Sequence, residues 1–167
     1  MIKENAFDAI AATYDASFSK TIIGANQRRL VRMHLQTFLK GKGLLKILEI
    51  NCGTGDDALW LASLGHEVVA TDASALMIAE AKRKASITSA EYKISFFQCS
   101  FEKLYSNFKD EKFDLIFSNF SGLNCIAPGE LQILGSDLNF ILYTNGHLAA
   151  VIFGKFTFWE FFYFSYN

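Results

Sequence analysis

The chain has no charge excess of either sign: 16 Lys and Arg stand against 17 Asp and Glu in 167 residues. Net charge therefore favours neither nucleic acid nor anionic lipid as a partner. Cysteine is scarce. Cys52, Cys99 and Cys125 lie far apart and are odd in number, and no CxxC, HExxH or Cys/His cluster occurs. Neither a disulfide framework nor a zinc centre is expected, and a reducing, cytoplasmic compartment is the simplest setting. Long apolar runs are missing too. The N-terminus, MIKENAFDAIAA, lacks the apolar core of a signal peptide, and Lys155 and Glu160 interrupt the stretch from Leu148 to Asn167, so no membrane span is expected. No internal repeat or low-complexity linker breaks the chain, whose length suits one domain.

What is present is a regular alternation. Residues 1–40 read as a helical cap: Ala6, Phe7, Ile10, Ala11 and Tyr14 recur at helical spacing, as do Leu30, Val31, Leu35, Phe38 and Leu39. The Gly41–Gly43 segment GKG ends the second helix. From residue 44 to 154 short apolar strands (LLKILEI, HEVVATD, ISFFQC, KFDLIFSNF, HLAAVIFG) alternate with helical stretches (DDALWLASLG, SALMIAEAKRKA, ELQILGSDLNFIL). The fifth strand is expected after an Asn145-Gly146 turn. Strands apolar along their whole length predict an α/β, Rossmann-like, doubly wound and mostly parallel sheet, covered by helices on both faces as a three-layer sandwich. Residues 155–167 form an aromatic tail.

The densest chemistry lies in KILEINCGTGDDA, Lys46 to Ala58. Ligands of such sheets bind beyond the carboxyl ends of the strands. Gly53-x-Gly55-x-x-Ala58 is a degenerate dinucleotide fingerprint, and Asp72, about 20 residues further on, is placed to accept from ribose hydroxyls. Those two features alone also fit a nicotinamide-dependent oxidoreductase. Glu49 at the mouth of the loop separates the readings. A pyrophosphate at a helix N-terminus wants N–H donors, not a carboxylate, whereas a ligand carrying an ammonium and a sulfonium suits one. Asp56 and Asp57 are either dipole-complementing helix starters or part of the same acidic rim.

Four blocks, Glu49 to Gly55 (EINCGTG), Thr71 to Ser74 (TDAS), FFQCSFEKL and FDLIFSNF, together resemble the class I S-adenosylmethionine-dependent methyltransferases. The resemblance covers roughly residues 7–158 and implies S-adenosylmethionine as cofactor and a small-molecule acceptor. It places Glu49, Asn51, Cys52, Gly53, Thr54 and Gly55 around the methionine moiety and Asp72 on the ribose. Ala73, Ser74 and Met77 fall near the adenosine. Ser100 stands where the family usually has an acid or other polar residue beside the adenine, and the Phe101 N–H and ring are expected to assist. Asn119 and Phe120 face the transferred methyl. Tyr14 either caps the cofactor or packs with Phe7 and Ile10. No catalytic base is identified: His66 and His147 are expected at the wrong end of the sheet. Cys52, with no base beside it in sequence, reads as a small loop residue. Arg28, Arg29 and Arg32 read as a solvated helix face.

The resemblance also implies seven strands, of which five are legible here, so the last two are expected to be lacking. Strand five would then be an apolar edge that invites self-association, through that edge or the aromatic tail. A cofactor-binding copy without turnover is the non-enzymatic alternative.

Overall fold

In the computed structural model, residues 7–88, 91–120 and 122–154 are described. The expected tail, 155–167, lies outside them. Five strands form one sheet: β1 (Lys46–Ile50), β2 (Glu67–Asp72), β3 (Ile94–Gln98), β4 (Phe113–Ser118) and β5 (Leu142–Ala150). The order is β3-β2-β1-β4-β5 and every pairing is parallel. β1 at the centre carries Ile47, Leu48 and Ile50, all fully buried. Each such side chain contributes roughly 1.5–3 kcal/mol by leaving water.

The helices are α1 (Ile22–Leu39), α2 (Asp56–Ser63), α3 (Ala75–Ser86), α4 (Leu104–Phe108) and α5 (Pro128–Ile141). Strand side chains alternate between faces. Ile47, Val68, Ala70, Leu115 and Phe117 pack on one side against Leu35 and Leu39 of α1, Leu61 of α2 and Ile78 of α3. Leu48, Ile50, Val69 and Ile116 pack on the other against Leu104 and Phe108 of α4 and Leu134, Leu138 and Ile141 of α5. The expected three-layer arrangement holds. Glu49 shares the parity of Ile47, so it points toward α1 and α2.

Three local expectations are corrected. Before α1 the described chain is not one helix. It makes a 3-10 turn over Asp8–Ile10 and a π-helical turn over Asp15–Ser19, and Thr21 then caps α1 by accepting from the Gly24 N–H at 3.1 Å. Asp15 and Asp8 send their carboxylates to Thr54 and Ser74 in the loops beneath, and these distant partners bend the chain. β5 starts at Leu142 rather than after Asn145-Gly146. Phe113 pairs with Leu142 and Leu115 with His147, so Asn145 and Gly146 lie in an irregularity inside the strand. Finally, β3 and β5 are not apolar-buried throughout, because each stands at an edge: Phe97, Tyr143 and Leu148 are exposed.

Candidate functional site

The loop after β1 is shaped by backbone conformation before any ligand enters. Asn51, Gly53 and Gly55 all have left-handed φ (55°, 54° and 80°). At Gly53 a side chain would find space, its nearest contact being Tyr14 at 4.0 Å. At Gly55 a Cβ would lie 2.9 Å from both the Ala81 Cβ and the Phe96 ring, so this glycine lets α2 start tight against α3 and β3. The Gly53 N–H donates to Asp72 Oδ2 at 2.9 Å and the Ser74 N–H to Oδ1 at 2.8 Å, tying the loop to the end of β2. Each Asp72 oxygen keeps a lone pair. Burial pushes its carboxyl above the usual carboxylate range, and these two N–H donors act against that rise.

A cavity of about 300 Å³ opens at the carboxyl ends of β1, β2 and β4. Tyr14, Glu49, Asn51, Cys52, Gly53, Thr54, Asp72, Ala73, Met77, Ser100, Phe101 and Asn119 all line it. Of the residues singled out from sequence, Gly55 and Ser74 do not. Gly55 serves packing, and Ser74 is buried as the α3 cap, accepting from the Met77 N–H at 3.0 Å and bonding Asp8. Phe120, expected beside the methyl, is in the wall; so are Phe7, Arg28, Asp57, Cys99, Gly122 and Cys125.

The acidic rim is rearranged. Glu49 is not at the mouth: it is 2 % exposed, a wall deep in the site. Its Oε2 has no hydrogen-bond partner among the described residues. Burial first, and then the charge of Asp57, push its carboxyl well above the usual range against the pull of Arg28 and Arg32. Asp57 is buried as well but fully engaged. Arg28 Nε reaches its Oδ2 at 3.2 Å, Arg32 Nε its Oδ1 at 2.7 Å, and the Asn119 amide donates to Oδ2 at 2.8 Å. Asp56 pairs with Arg28 at 3.2 Å and with Lys84. Arg28 and Arg32 are thus not a solvated face. They turn inward because two buried or half-buried carboxylates at the start of α2 lie across from them, and Arg28 also stacks over Phe120 at 4.6 Å.

Asn119 bonds inward at both ends of its amide. Besides the bond to Asp57, its Oδ1 accepts from the Phe120 N–H at 2.7 Å, holding Phe120 at a left-handed φ of 48°. Asn51 closes the ring: it donates to the Asn119 carbonyl at 2.7 Å and accepts from Ser118 Oγ at 2.6 Å. Tyr14 lines the cavity and stands 5.5 Å from the Phe18 ring, a different aromatic partner from the Phe7 and Ile10 expected from helical spacing. Thr54 donates to Asp15 at 2.6 Å, and Lys84 reaches both Asp15 (2.8 Å) and Thr54 (3.1 Å), fastening the N-terminal turns over the loop.

Cys52 is buried, and burial, followed by Glu49 and Asp72, raises its thiol well above the ordinary value. A thiol held protonated in this way is poorly suited to act as a nucleophile. His66 and His147 sit away from the cavity: His66 accepts from the Leu45 N–H at 3.2 Å at the amino end of the sheet, and His147 packs on Phe38. Among the described residues no group of three or more His, Cys, Asp or Glu is gathered to hold a metal, and no described helix is long and apolar enough to cross a membrane.

Comparison with known proteins agrees with this architecture. The solved structure of the DhpI–SAM–HEP complex shares the fold (TM-score 0.68, 23 % identity, covering 87 % of this chain and 62 % of that one). A thiopurine S-methyltransferase of Lycaon pictus is 33 % identical over 143 residues, covering 74 % of this chain and 57 % of that protein. A tRNA 5-carboxymethoxyuridine methyltransferase of Escherichia coli K12 is 27 % identical over 108 residues, 64 % of this chain and 41 % of that protein. The chain thus spans about half the length of these two relatives. The family model for a methyltransferase domain matches residues 47–146, the run from β1 into β5 that builds the sheet and most of the cavity wall, and by that match the chain belongs to the methyltransferase-domain family, of the class I S-adenosylmethionine-dependent type.

Proposed function

We propose that the chain binds S-adenosylmethionine in this cavity and transfers its methyl group to a small-molecule acceptor. One observation carries the reading: a single cavity joins a buried carboxyl with an unused oxygen, Glu49, to a second carboxylate, Asp72, held by two backbone N–H groups with lone pairs to spare. The first suits an ammonium, the second a ribose diol, and they stand on adjacent strands β1 and β2. The cofactor supplies a methyl on a sulfonium, an already good leaving group. What remains for the chain is to bind, align and exclude water.

The residues divide that work. Glu49 receives the ammonium, and the loop from Asn51 to Thr54 surrounds the methionine portion. Asp72 accepts from the ribose hydroxyls. Met77 gives the adenine an apolar wall, with Ser100 and the Phe101 N–H and ring at its edge. Ser74 and Gly55 act from behind, one fixing α3 and the other the approach of α2. Asn119, bonded inward, positions Phe120 toward the reacting end. Tyr14 covers the site from the N-terminal turns. No residue is assigned as base, and the cavity wall contains no histidine.

A small acceptor is favoured by the ring-rich wall of Phe7, Phe101 and Phe120 and by the balanced charge of the chain. The relatives act on a thiopurine in one case and on tRNA in the other, so the acceptor is tested directly. Equilibrium binding of S-adenosylmethionine and S-adenosylhomocysteine to the purified chain is expected to give micromolar affinity; no binding of either overturns the reading. Transfer of radiolabelled methyl to a panel of aromatic thiols, amines and hydroxyls, run beside bulk tRNA, then identifies the acceptor. Labelling of tRNA alone would refute the small-molecule part. Binding without labelling of any acceptor would favour a copy that holds the cofactor without turnover. The edge strand β5, with Leu148 exposed on it and Ile152 and Phe153 exposed just after it, is where a second copy would add, and light scattering tests that association.

A further inference from the structure

Among the described residues, the charged side chains that line the cavity or fasten its rim are matched, with one exception. Asp57 is held by Arg28, Arg32 and Asn119, Asp56 by Arg28 and Lys84, Asp15 by Thr54 and Lys84, and Asp72 by two backbone N–H groups. Glu49 is almost wholly buried in the same wall, and its Oε2 receives no donor among the described residues. A carboxylate in that position has lost most of its water and its Oε2 has gained no donor in return, so the neutral acid is the cheaper form.

Its charged surroundings come from three elements. Arg28 and Arg32 of α1 favour the anion, but their guanidinium groups are already bonded to Asp57 and Asp56. Asp56 and Asp57 of α2 oppose it. In the β1 loop, the Cys52 thiol is kept protonated by burial and by Glu49 itself. Among the described residues no further cation faces Glu49, so a ligand's ammonium is what would neutralise it.

We propose that Glu49 carries a proton in the ligand-free protein and gives it up when the ammonium of the cofactor arrives, so that cofactor binding releases one proton to solvent. The inference rests on the cofactor reading above and adds its regulation by pH. The Glu49 O–H bond breaks, the electron pair stays on the carboxylate, and the proton passes to buffer. Below the pH at which ligand-free Glu49 ionises, affinity for an ammonium-bearing ligand then tightens by about tenfold per pH unit, and above it affinity levels off. Adenosine, which has the same ribose and base but no ammonium, gains nothing from the exchange.

Isothermal titration of the whole chain with S-adenosylhomocysteine tests this, in two buffers of different ionisation enthalpy at about pH 6, where the ligand's own α-amine stays protonated. Net release of protons, up to one per ligand bound, is expected, with Kd falling as the pH is raised from about 5.5 to about 6.5. Adenosine is expected to release none, and Glu49→Gln, which is isosteric and uncharged, is expected to abolish the release. Buffer-independent heats for S-adenosylhomocysteine overturn the inference while leaving cofactor binding intact. Equal release with adenosine, or undiminished release in Glu49→Gln, overturns it also. Should Glu49→Gln not bind at all, the contrast between the two ligands on the unaltered chain decides. Absence of heat with either ligand on the unaltered chain removes the cofactor reading itself, a different result.

Discussion

The two ends of the parallel sheet treat their polar groups in opposite ways. At the amino end, Lys46 Nζ meets Glu111 at 2.6 Å, the Lys46 N–H donates to Asp114 at 2.7 Å, and the Leu45 N–H is taken by His66. Each group has an ordinary partner and no non-glycine backbone is strained there. At the carboxyl end, Asn51 and Phe120 adopt left-handed φ, Asp57 sits buried among two arginines, and Glu49 is left with an idle oxygen. Strain and unbalanced charge collect where the cavity is and nowhere comparable among the described residues. The contrast teaches that the core and amino end hold the fold, while the carboxyl end is held in a costly shape by them, as a ligand site requires.

The sharpest way to break that contrast is Asp57→Ala. It leaves Arg28 and Arg32 facing one another without their shared carboxylate and frees the Asn119 amide. A loss of about 3–5 kcal/mol is expected in urea unfolding, together with loss of ligand binding, because Phe120 is no longer held. A loss below about 1 kcal/mol would mean that the network is not structural. Next comes the glycine pair. Gly55→Ala adds a Cβ into Ala81 and Phe96 at a left-handed φ, and about 2–4 kcal/mol of destabilisation is expected. Gly53→Ala carries only the conformational term, about 1 kcal/mol, since nothing stands closer than Tyr14 at 4.0 Å. Equal effects on urea midpoints would show that the α2–α3 approach is looser than the geometry implies.

Glu49→Gln probes the same end through pH. The folded-state carboxyl is raised, so the folded chain binds this proton more tightly than the unfolded chain does. Its stabilising contribution is therefore complete below the usual carboxylate range and is lost as pH rises through the raised value. Asp72 is shifted the same way. Thermal melting of the parent chain is expected to fall relative to Glu49→Gln as pH rises above the usual carboxylate range, the two curves converging below it. Parallel melting curves across that rise would show that the buried carboxyl is stabilised as an anion after all.

How much of this was legible in the sequence follows from how local each signal is. The β1 strand, its two glycines and Asp72 lie within one strand–helix–strand unit, and there the apolar runs and turn residues point the same way; from it the cavity gathers Glu49, Gly53 and Asp72, while Gly55 serves packing. The burial of Glu49 was missed: its charge read as a rim position, although its flanks Ile47, Leu48 and Ile50 lie on a strand covered on both faces. The partners of Asp57 were not legible either. Arg28 and Arg32 lie 29 and 25 positions away, and helical periodicity shows that α1 has faces without saying what each face meets. Asn145-Gly146 reads as a turn by composition, yet the register against Phe113 and Leu115 keeps it inside β5. Cys99 and Cys125 join the cavity wall only through the packing of the β3 and β4 loops.

The smallest expected effect sharpens the comparison from the quiet end. Lys46 joins Glu111 and Glu67 with all three side chains substantially exposed to water. The hydrogen bond that Lys46 donates to Glu111, more than the charge of Glu67, holds the ammonium protonated above its usual range, but an ion pair in that setting is screened and its members lose rotamer freedom. Glu111→Gln keeps the shape and removes the charge. A change of at most about 0.5 kcal/mol is expected in urea unfolding, shrinking further in about 1 M salt, with cofactor affinity unaltered. The pair also borders the Phe113 ring, 5.3 Å from Lys46 Nζ, so Lys46→Met tests whether packing, not charge, is what this residue supplies. If Glu111→Gln destabilised the chain as much as Asp57→Ala, the two ends would not differ in kind, and the concentration of cost around the cavity would lose its functional meaning.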